Sequence, residues 1–341
     1  MIPKIQAYCN LIFKVKKKVF NVPFDYFWMH FHQMKSSFVI FAATICFLLG
    51  LGFYHYLLGY RAIFNDPSRR PVYFNDGFSV AVPTGNAKSH EWISMREALK
   101  GPFAQNDSRL LQYINANNII RPPSDKPYNL SNPDLDNPSM GQSRIVLHAL
   151  NGLKNGFFVE CGALDGELRS NTLLLEKRFG WKGLLIEGDP KNYDMLVDKH
   201  RKAWSTPACL STLPYPHEVL FEQHYNTGKI SKQQVVKDQD APPGFARVQC
   251  YPFYTLISAM NISTVDYFSL DVEGSELDVL NTIPFDSVFI KVISVEYIHD
   301  SGGRNAVKQF MTAKGFRVFG EVTDPRNWAN DLVLVNERLL I

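Results

Sequence analysis

Three short stretches of the chain set carboxylates beside glycines, a combination suited to holding a nucleoside or an amino-acid-like ligand. In Glu160-Cys161-Gly162-Ala163-Leu164-Asp165-Gly166, the two glycines give a strand-to-helix turn the freedom and lack of bulk to wrap such a ligand. A tight turn with no ligand has the same composition. Glu187, in Ile186-Glu187-Gly188-Asp189-Pro190, follows by roughly the twenty residues that a helix and a strand require, where a Rossmann-like sheet hydrogen-bonds ribose hydroxyls. The two placements together are more specific than either alone. In Ser269-Leu270-Asp271-Val272-Glu273-Gly274-Ser275-Glu276, Asp271 and Glu273 share one sheet edge and are the candidate catalytic pair, able to orient an amino group or take a proton from a hydroxyl. Glu276 reads as a solvated acid in the first turn of a helix, favoured there by the helix dipole. Glu296 and His299 end the next strand as further candidates, with a structural role expected for His299. No CxxC or His/Cys cluster has ligand spacing, so no metal site is expected.

These stretches meet only if the chain forms an open sheet with its carboxyl edges aligned. From Gly156 onward, short apolar runs alternate with helical stretches, the signature of a parallel sheet wrapped by helices. Strands are predicted over 157–161, 183–187, 203–210, 265–270, 288–296, 315–320 and 332–335, the last antiparallel at the sheet edge. Helices are predicted over 169–179, 190–201, 253–260, 276–280 and 303–314. The irregular stretch 214–244, with Pro242, Pro243 and several lysines, reads as a long excursion. Upstream, residues 59–146 are rich in Pro, Asn and Asp and read as a stem carrying short helices near 91–99 and 109–114.

The charge balance, 36 Lys+Arg against 33 Asp+Glu, argues against a broad nucleic-acid-binding surface. The basic excess lies at the start: Lys4, Lys14, Lys16, Lys17, Lys18 and Lys35 against Asp25 alone. Residues 38–58, FVIFAATICFLLGLGFYHYLL, match the roughly twenty apolar residues that span a bilayer, with Tyr54, Tyr56 and Tyr60 at the far interface. Positive-inside logic keeps residues 1–37 in the cytosol and puts the remainder in the lumen or outside the cell, a type II membrane protein. The sequons at Asn106, Asn129 and Asn261 fall on that side. With Cys161 inside a buried strand, Cys209 and Cys250 are left either as a disulfide pair or as free thiols.

FVECGALDGE, SNTLLLE, GWKGLLIEGDP and YFSLDVEGSELDVL together resemble the FkbM-type methyltransferase domain, over roughly residues 147–335 of a domain that runs over 147–341. The resemblance implies a class I methyltransferase-like, Rossmann-like seven-stranded α/β sheet and O-methyl transfer from S-adenosylmethionine. It also implies that Glu160, Gly162, Asp165 and Gly166 line the cofactor pocket, Glu187 the ribose, and Asp271 and Glu273 the reaction end. Glu160 stands where Asp is commoner, and Leu164 where Asn is frequent. KAWSTPACLS and VQCYPFYTLISAMNISTVDYFSLDVEGSEL, behind a type II anchor, look like the Star family of animal membrane proteins. That likeness implies secretory and endosomal membranes (endoplasmic reticulum, Golgi, endosomes) and the movement of secretory cargo proteins. S-adenosylmethionine is made in the cytosol, so the lumenal placement favours the trafficking role, with an active O-methyltransferase acting on a sugar or lipid hydroxyl as the alternative.

Overall fold

A computed structural model describes residue 99, residues 103–233, residue 235 and residues 240–340 apart from 300 and 301. The apolar run 38–58, and the expected helix at 91–99 apart from Leu99, lie outside these residues. Among the described residues, two helices precede the first strand, α1 (Ser108–Ala116) and α2 (Gln142–Ala149). Asp107 starts α1 by accepting the Arg109 N–H, which satisfies one of the free donors of the first turn. α1 buries Leu110 and Ile114 completely, in the same core as Val159, Leu256 and Phe268. Part of the expected stem is therefore a layer of the domain, and the packed unit begins before residue 147. Its Pro and Asn content interrupts the helices without removing the apolar face that α1 buries.

The chain continues as β1 (Phe157–Cys161), α3 (Leu173–Phe179), β2 (Lys182–Ile186), α4 (Pro190–Asp198), β3 (Trp204–Thr206) and β4 (Cys209–Leu210). It then runs through β5 (His217–Glu222), β6 (Lys229–Ile230), β7 (Phe245–Tyr251), α5 (Phe253–Ala259), β8 (Thr264–Leu270) and α6 (Glu276–Thr282). It ends with β9 (Phe289–Glu296), α7 (Gly303–Ala313), β10 (Phe316–Thr323) and β11 (Asn330–Asn336). Seven strands form one sheet in the order β10-β11-β9-β8-β1-β2-β3. β1 runs parallel to β2 and β8, β2 to β3, and β8 to β9, whereas β11 is antiparallel to both β9 and β10. This is the mostly parallel α/β sheet expected from the spacing of the apolar runs. The central strands are continuous apolar runs because both faces are covered: Tyr267, Phe268, Val292 and Ile293 are all fully buried.

Three expectations need correction. The strand expected over 203–210 is two strands in two sheets, because the chain leaves the large sheet after Thr206 and enters a smaller one at Cys209. That smaller sheet, ordered β4-β7-β5-β6, turns part of the supposed excursion 214–244 into regular structure, as β5 and β6. A Cys209–Cys250 disulfide joins β4 to β7, settling the open question about these thiols. Finally, the helix expected from Arg169 starts only at Leu173, since Ser170, Asn171 and Thr172 use their hydrogen-bonding groups on Glu160.

Candidate functional site

A cavity of about 350 Å³ opens at the carboxyl edge of the large sheet, with the small sheet as its facing wall. The turn after β1 is stitched between its neighbours: Gly162 N and Ala163 N donate to Ile186 O at the end of β2, and Asp271 N donates to Cys161 O from β8. Gly162 has φ +81°, and a Cβ there would lie 2.0 Å from Asp271 O, so only glycine lets the two loops meet. Gly188 admits the ring of Phe221 from the small sheet, whose nearest carbon would be 2.9 Å from an added Cβ.

Among the described residues, five that are neither glycine nor asparagine hold a positive φ, and four of them line this cavity: Leu164, Arg169, Tyr225 and Glu273. Each such conformation costs on the order of 1 kcal/mol and persists only where surrounding contacts impose it.

Glu160 is 3% exposed and lines the cavity, but its carboxylate is occupied from behind. It accepts from Asn171 N at 2.6 Å, from Ser170 Oγ at 3.0 Å and from Thr172 Oγ1. Burial raises its pKa against the opposing pull of the Arg201 guanidinium. Arg201, 3% exposed, pairs with Glu176 at 3.1 Å and donates to Gly166 O, Ser170 Oγ and Thr172 Oγ1, so one guanidinium ties the loop 162–172 together. Asp165 and Gly166 do not line the cavity, against expectation. Asp165 Oδ1 accepts from Glu167 N and Leu168 N, and its other oxygen lies 3.6 Å from Lys199 Nζ, while Gly166 packs on Leu196. Both shape the turn from outside.

Glu187 does line the cavity, 5% exposed, accepting from Leu164 N at 2.7 Å and Asp189 N at 2.8 Å. Burial pushes its carboxyl up to about 8, against the pull of those two N–H groups. The carboxylate that could meet a ribose is thus held in one orientation by the turn that would cover the sugar.

Asp271 and Glu273 share the cavity with Glu296, His299 and Asp331. Burial, then the negative charges of Glu273, Asp331 and Glu276, lift Asp271 well above the carboxylate range. Glu296 is lifted to about 10 by burial and then by Asp271 and Glu273. His299 Nδ1 lies 2.8 Å from Glu273 and 3.1 Å from Glu296, so this histidine belongs to the site, not to a purely structural role. Glu276 is fully buried and accepts from Val272 N and Gly274 N. The solvated acid expected there instead clamps the loop that carries Glu273. Spacing offers no signal for the Glu273–Glu296–His299 grouping, because its members come from the ends of two strands brought together only by β8–β9 pairing.

Two buried acceptors in the cavity wall have no hydrogen-bond partner among the described residues. Asn171 Nδ2 donates to Ser269 Oγ, leaving Oδ1 unpaired, and Gln142 Nε2 donates to Asp331, leaving Oε1 unpaired. A wall of carboxylates and open acceptors suits a ligand that carries positive charge and hydroxyl or amino donors.

Residues 160–318 match the family model described as Methyltransferase FkbM domain, just under half of the chain. No curated protein matches the chain. Among solved structures, the delta-N METTL16 MTase domain aligns at 13% identity and TM-score 0.34, covering 67% of this chain and 94% of that one. A human methyltransferase 10 domain containing protein aligns at 12% identity and TM-score 0.31, covering 57% and 77%. A Burkholderia thailandensis 1,6-didemethyltoxoflavin-N1-methyltransferase, solved with 1,6-didemethyltoxoflavin and S-adenosylhomocysteine, aligns at 11% identity and TM-score 0.29, covering 67% and 84%.

Proposed function

We propose that this FkbM-type, methyltransferase-like domain transfers a methyl group from S-adenosylmethionine to a hydroxyl of a sugar or lipid acceptor. The observation that carries the reading is the turn at Gly162, fastened between the ends of β2 and β8 so that Glu187 and Asp271 face one cavity. S-adenosylmethionine supplies an electrophilic methyl on a sulfonium. Its ammonium, sulfonium and ribose hydroxyls are the groups that an acceptor-rich wall fits, and the unpaired Asn171 Oδ1 beside Ser269 is one acceptor for the ammonium. Glu187 would accept from the ribose hydroxyls, and Asp271 would take the acceptor's hydroxyl proton. Burial and the neighbouring negative charges make the ionised Asp271 carboxylate a stronger base than an ordinary one. Glu273, Glu296 and His299 form the wall against which the acceptor is held.

Calorimetry with S-adenosylhomocysteine tests the reading. We expect micromolar binding that Glu187→Ala abolishes. An absence of heat at millimolar ligand would mean binding weaker than about 4 kcal/mol and would sink it. Movement of secretory cargo, expected from the Star likeness, has no counterpart in the geometry of the described residues, and methyl transfer takes its place as the leading reading.

The reading includes a type II topology, with residues 38–58 as the anchor and the domain on the lumenal or extracellular side. The Cys209–Cys250 disulfide supports that placement, because such bonds persist in oxidising compartments. Asn106, Asn129 and Asn261 are all exposed. Endoglycosidase treatment of the cellular protein should therefore shift its mobility. An unshifted chain that washes off membranes in carbonate would overturn the topology.

A further inference from the structure

The carboxyl ends of β8 and β9 gather more negative charge than methyl transfer requires. Asp271, Glu273, Glu276, Glu296 and Asp331 act on one another there, while His299, then Lys229 and Arg169, are the cationic side chains whose charge reaches Glu273. Carboxylates withdrawn from water at this density must share protons or hold a cation.

We propose that Glu273, Glu296 and His299 form a divalent-cation site in the wall of the cavity. Their ligand atoms all lie within 4.8 Å of one another, and His299 Nδ1 is 2.8 Å from Glu273 and 3.1 Å from Glu296. Neighbouring ligands of an octahedral ion bound at about 2.1 Å are about 3.0 Å apart, so the imidazole already stands at coordination spacing from both carboxylates. The cation would sit between Nδ1 and the two carboxylates. Two carboxylates and one imidazole suit Mn²⁺ or a similar first-row ion.

The loops are built to bring these groups together. Glu273 adopts φ +59°, and at Gly274 an added Cβ would lie 2.9 Å from His299 O, so the β8 loop can approach the β9 loop only with glycine there. A second, independent sign of a ligand is Gln142. It is 4% exposed and lines the same cavity, and its Nε2 is fixed on Asp331, which pairs in register with Glu296. Its Oε1 is left as a buried acceptor without a donor among the described residues, and an amide oxygen is a competent ligand, directly or through water, for such an ion. An ion there would also seat an acceptor oxygen beside Asp271, whose carboxylate lies within 4.8 Å of that of Glu296. This last step alone rests on the methyl-transfer reading.

The test is titration of the purified full-length chain with Mn²⁺ alone, read by electron paramagnetic resonance. We expect one ion per chain at micromolar affinity, with ¹⁴N coupling from an imidazole. Glu296→Gln, Glu273→Gln and His299→Ala should each weaken it at least tenfold, and Glu218→Gln, an acid paired with Arg247 on the small sheet, should leave it unchanged. His299 is 45% exposed, so its loss should spare the fold even if the buried Glu296 variant does not. Absence of binding at 1 mM Mn²⁺, binding without nitrogen coupling, or unchanged affinity in His299→Ala would overturn the proposal. Because no S-adenosylmethionine is present, none of these results depends on methyl transfer.

Discussion

Replacing Arg201 with Met would remove the cation on which the loop over the cavity closes, while keeping an unbranched apolar stem in its place. The guanidinium has no solvent to fall back on: Nε lies 3.2 and 3.1 Å from the two Glu176 oxygens, and the terminal nitrogens reach Gly166 O, Ser170 Oγ and Thr172 Oγ1. Glu176 would keep Tyr128 and Lys202 N as donors, and Glu160 would keep Ser170, Asn171 and Thr172, but the two buried acids would have lost their shared countercharge. Breaking a buried pair from one side costs about 3–5 kcal/mol, or roughly 10 °C in melting temperature for a domain of this size. The cost should depend on pH. Burial already holds Glu160 above its ordinary 4.5, and loss of Arg201 raises it further. An acid whose folded pKa lies above its unfolded one keeps its full stability below the unfolded value and loses it as pH rises through the folded one. The gap between wild type and Arg201→Met should therefore be narrow near pH 5 and wide near pH 8. Urea unfolding followed by the fluorescence of buried Trp181 measures it. A loss under 1 kcal/mol, or a gap that does not change with pH, would show that the guanidinium's desolvation cancels its pairing and would refute the reasoning.

Gly162→Ala should lower S-adenosylhomocysteine affinity at least tenfold and reduce the melting temperature, because its Cβ would sit on Asp271 O. Gly152→Ala, at φ +70° with open space around it, should lose only about 1 kcal/mol and bind normally, and equal behaviour of the two variants would contradict the steric account. Reduction of Cys209–Cys250, which closes a loop of 41 residues, should destabilise the small sheet by about 4 kcal/mol on the chain-entropy account. Melting curves that coincide with and without reductant would count against this.

The large sheet was legible in the sequence because its strands are apolar runs bounded by turn residues, and Gly162 and Glu187 stand at a fixed distance along one strand-helix-strand unit. The small sheet was not. β4 and β6 are two residues each and β5 shows no alternation, so no period marks them, whereas β7 does alternate, burying Ala246, Val248 and Cys250 between Arg247 and Gln249, but it is a single strand whose partners are not legible. That Asp165 faces away from the cavity was not legible for a different reason: composition identifies a turn but not which way its side chains face. Glu276 departs from the usual solvated first-turn acid because the β8 loop folds back and gives it two backbone donors. The Glu273–Glu296–His299 grouping exists only after two strands pair, which no local reading of the chain contains.

The chain enters the small sheet at Cys209 and leaves it after Tyr251, and Cys209 pairs in register with Cys250, their Cα atoms 4.3 Å apart. An insert whose two ends nearly coincide can be lengthened, shortened or exchanged without straining its host. Residues 209–250 behave as a cartridge plugged into the cavity mouth: Phe221, Tyr225 and Ile230 come from it, whereas Gly162, Glu187 and Asp271 belong to the socket. Selectivity for what enters the cavity can thus drift during evolution while the machinery beneath it stands still.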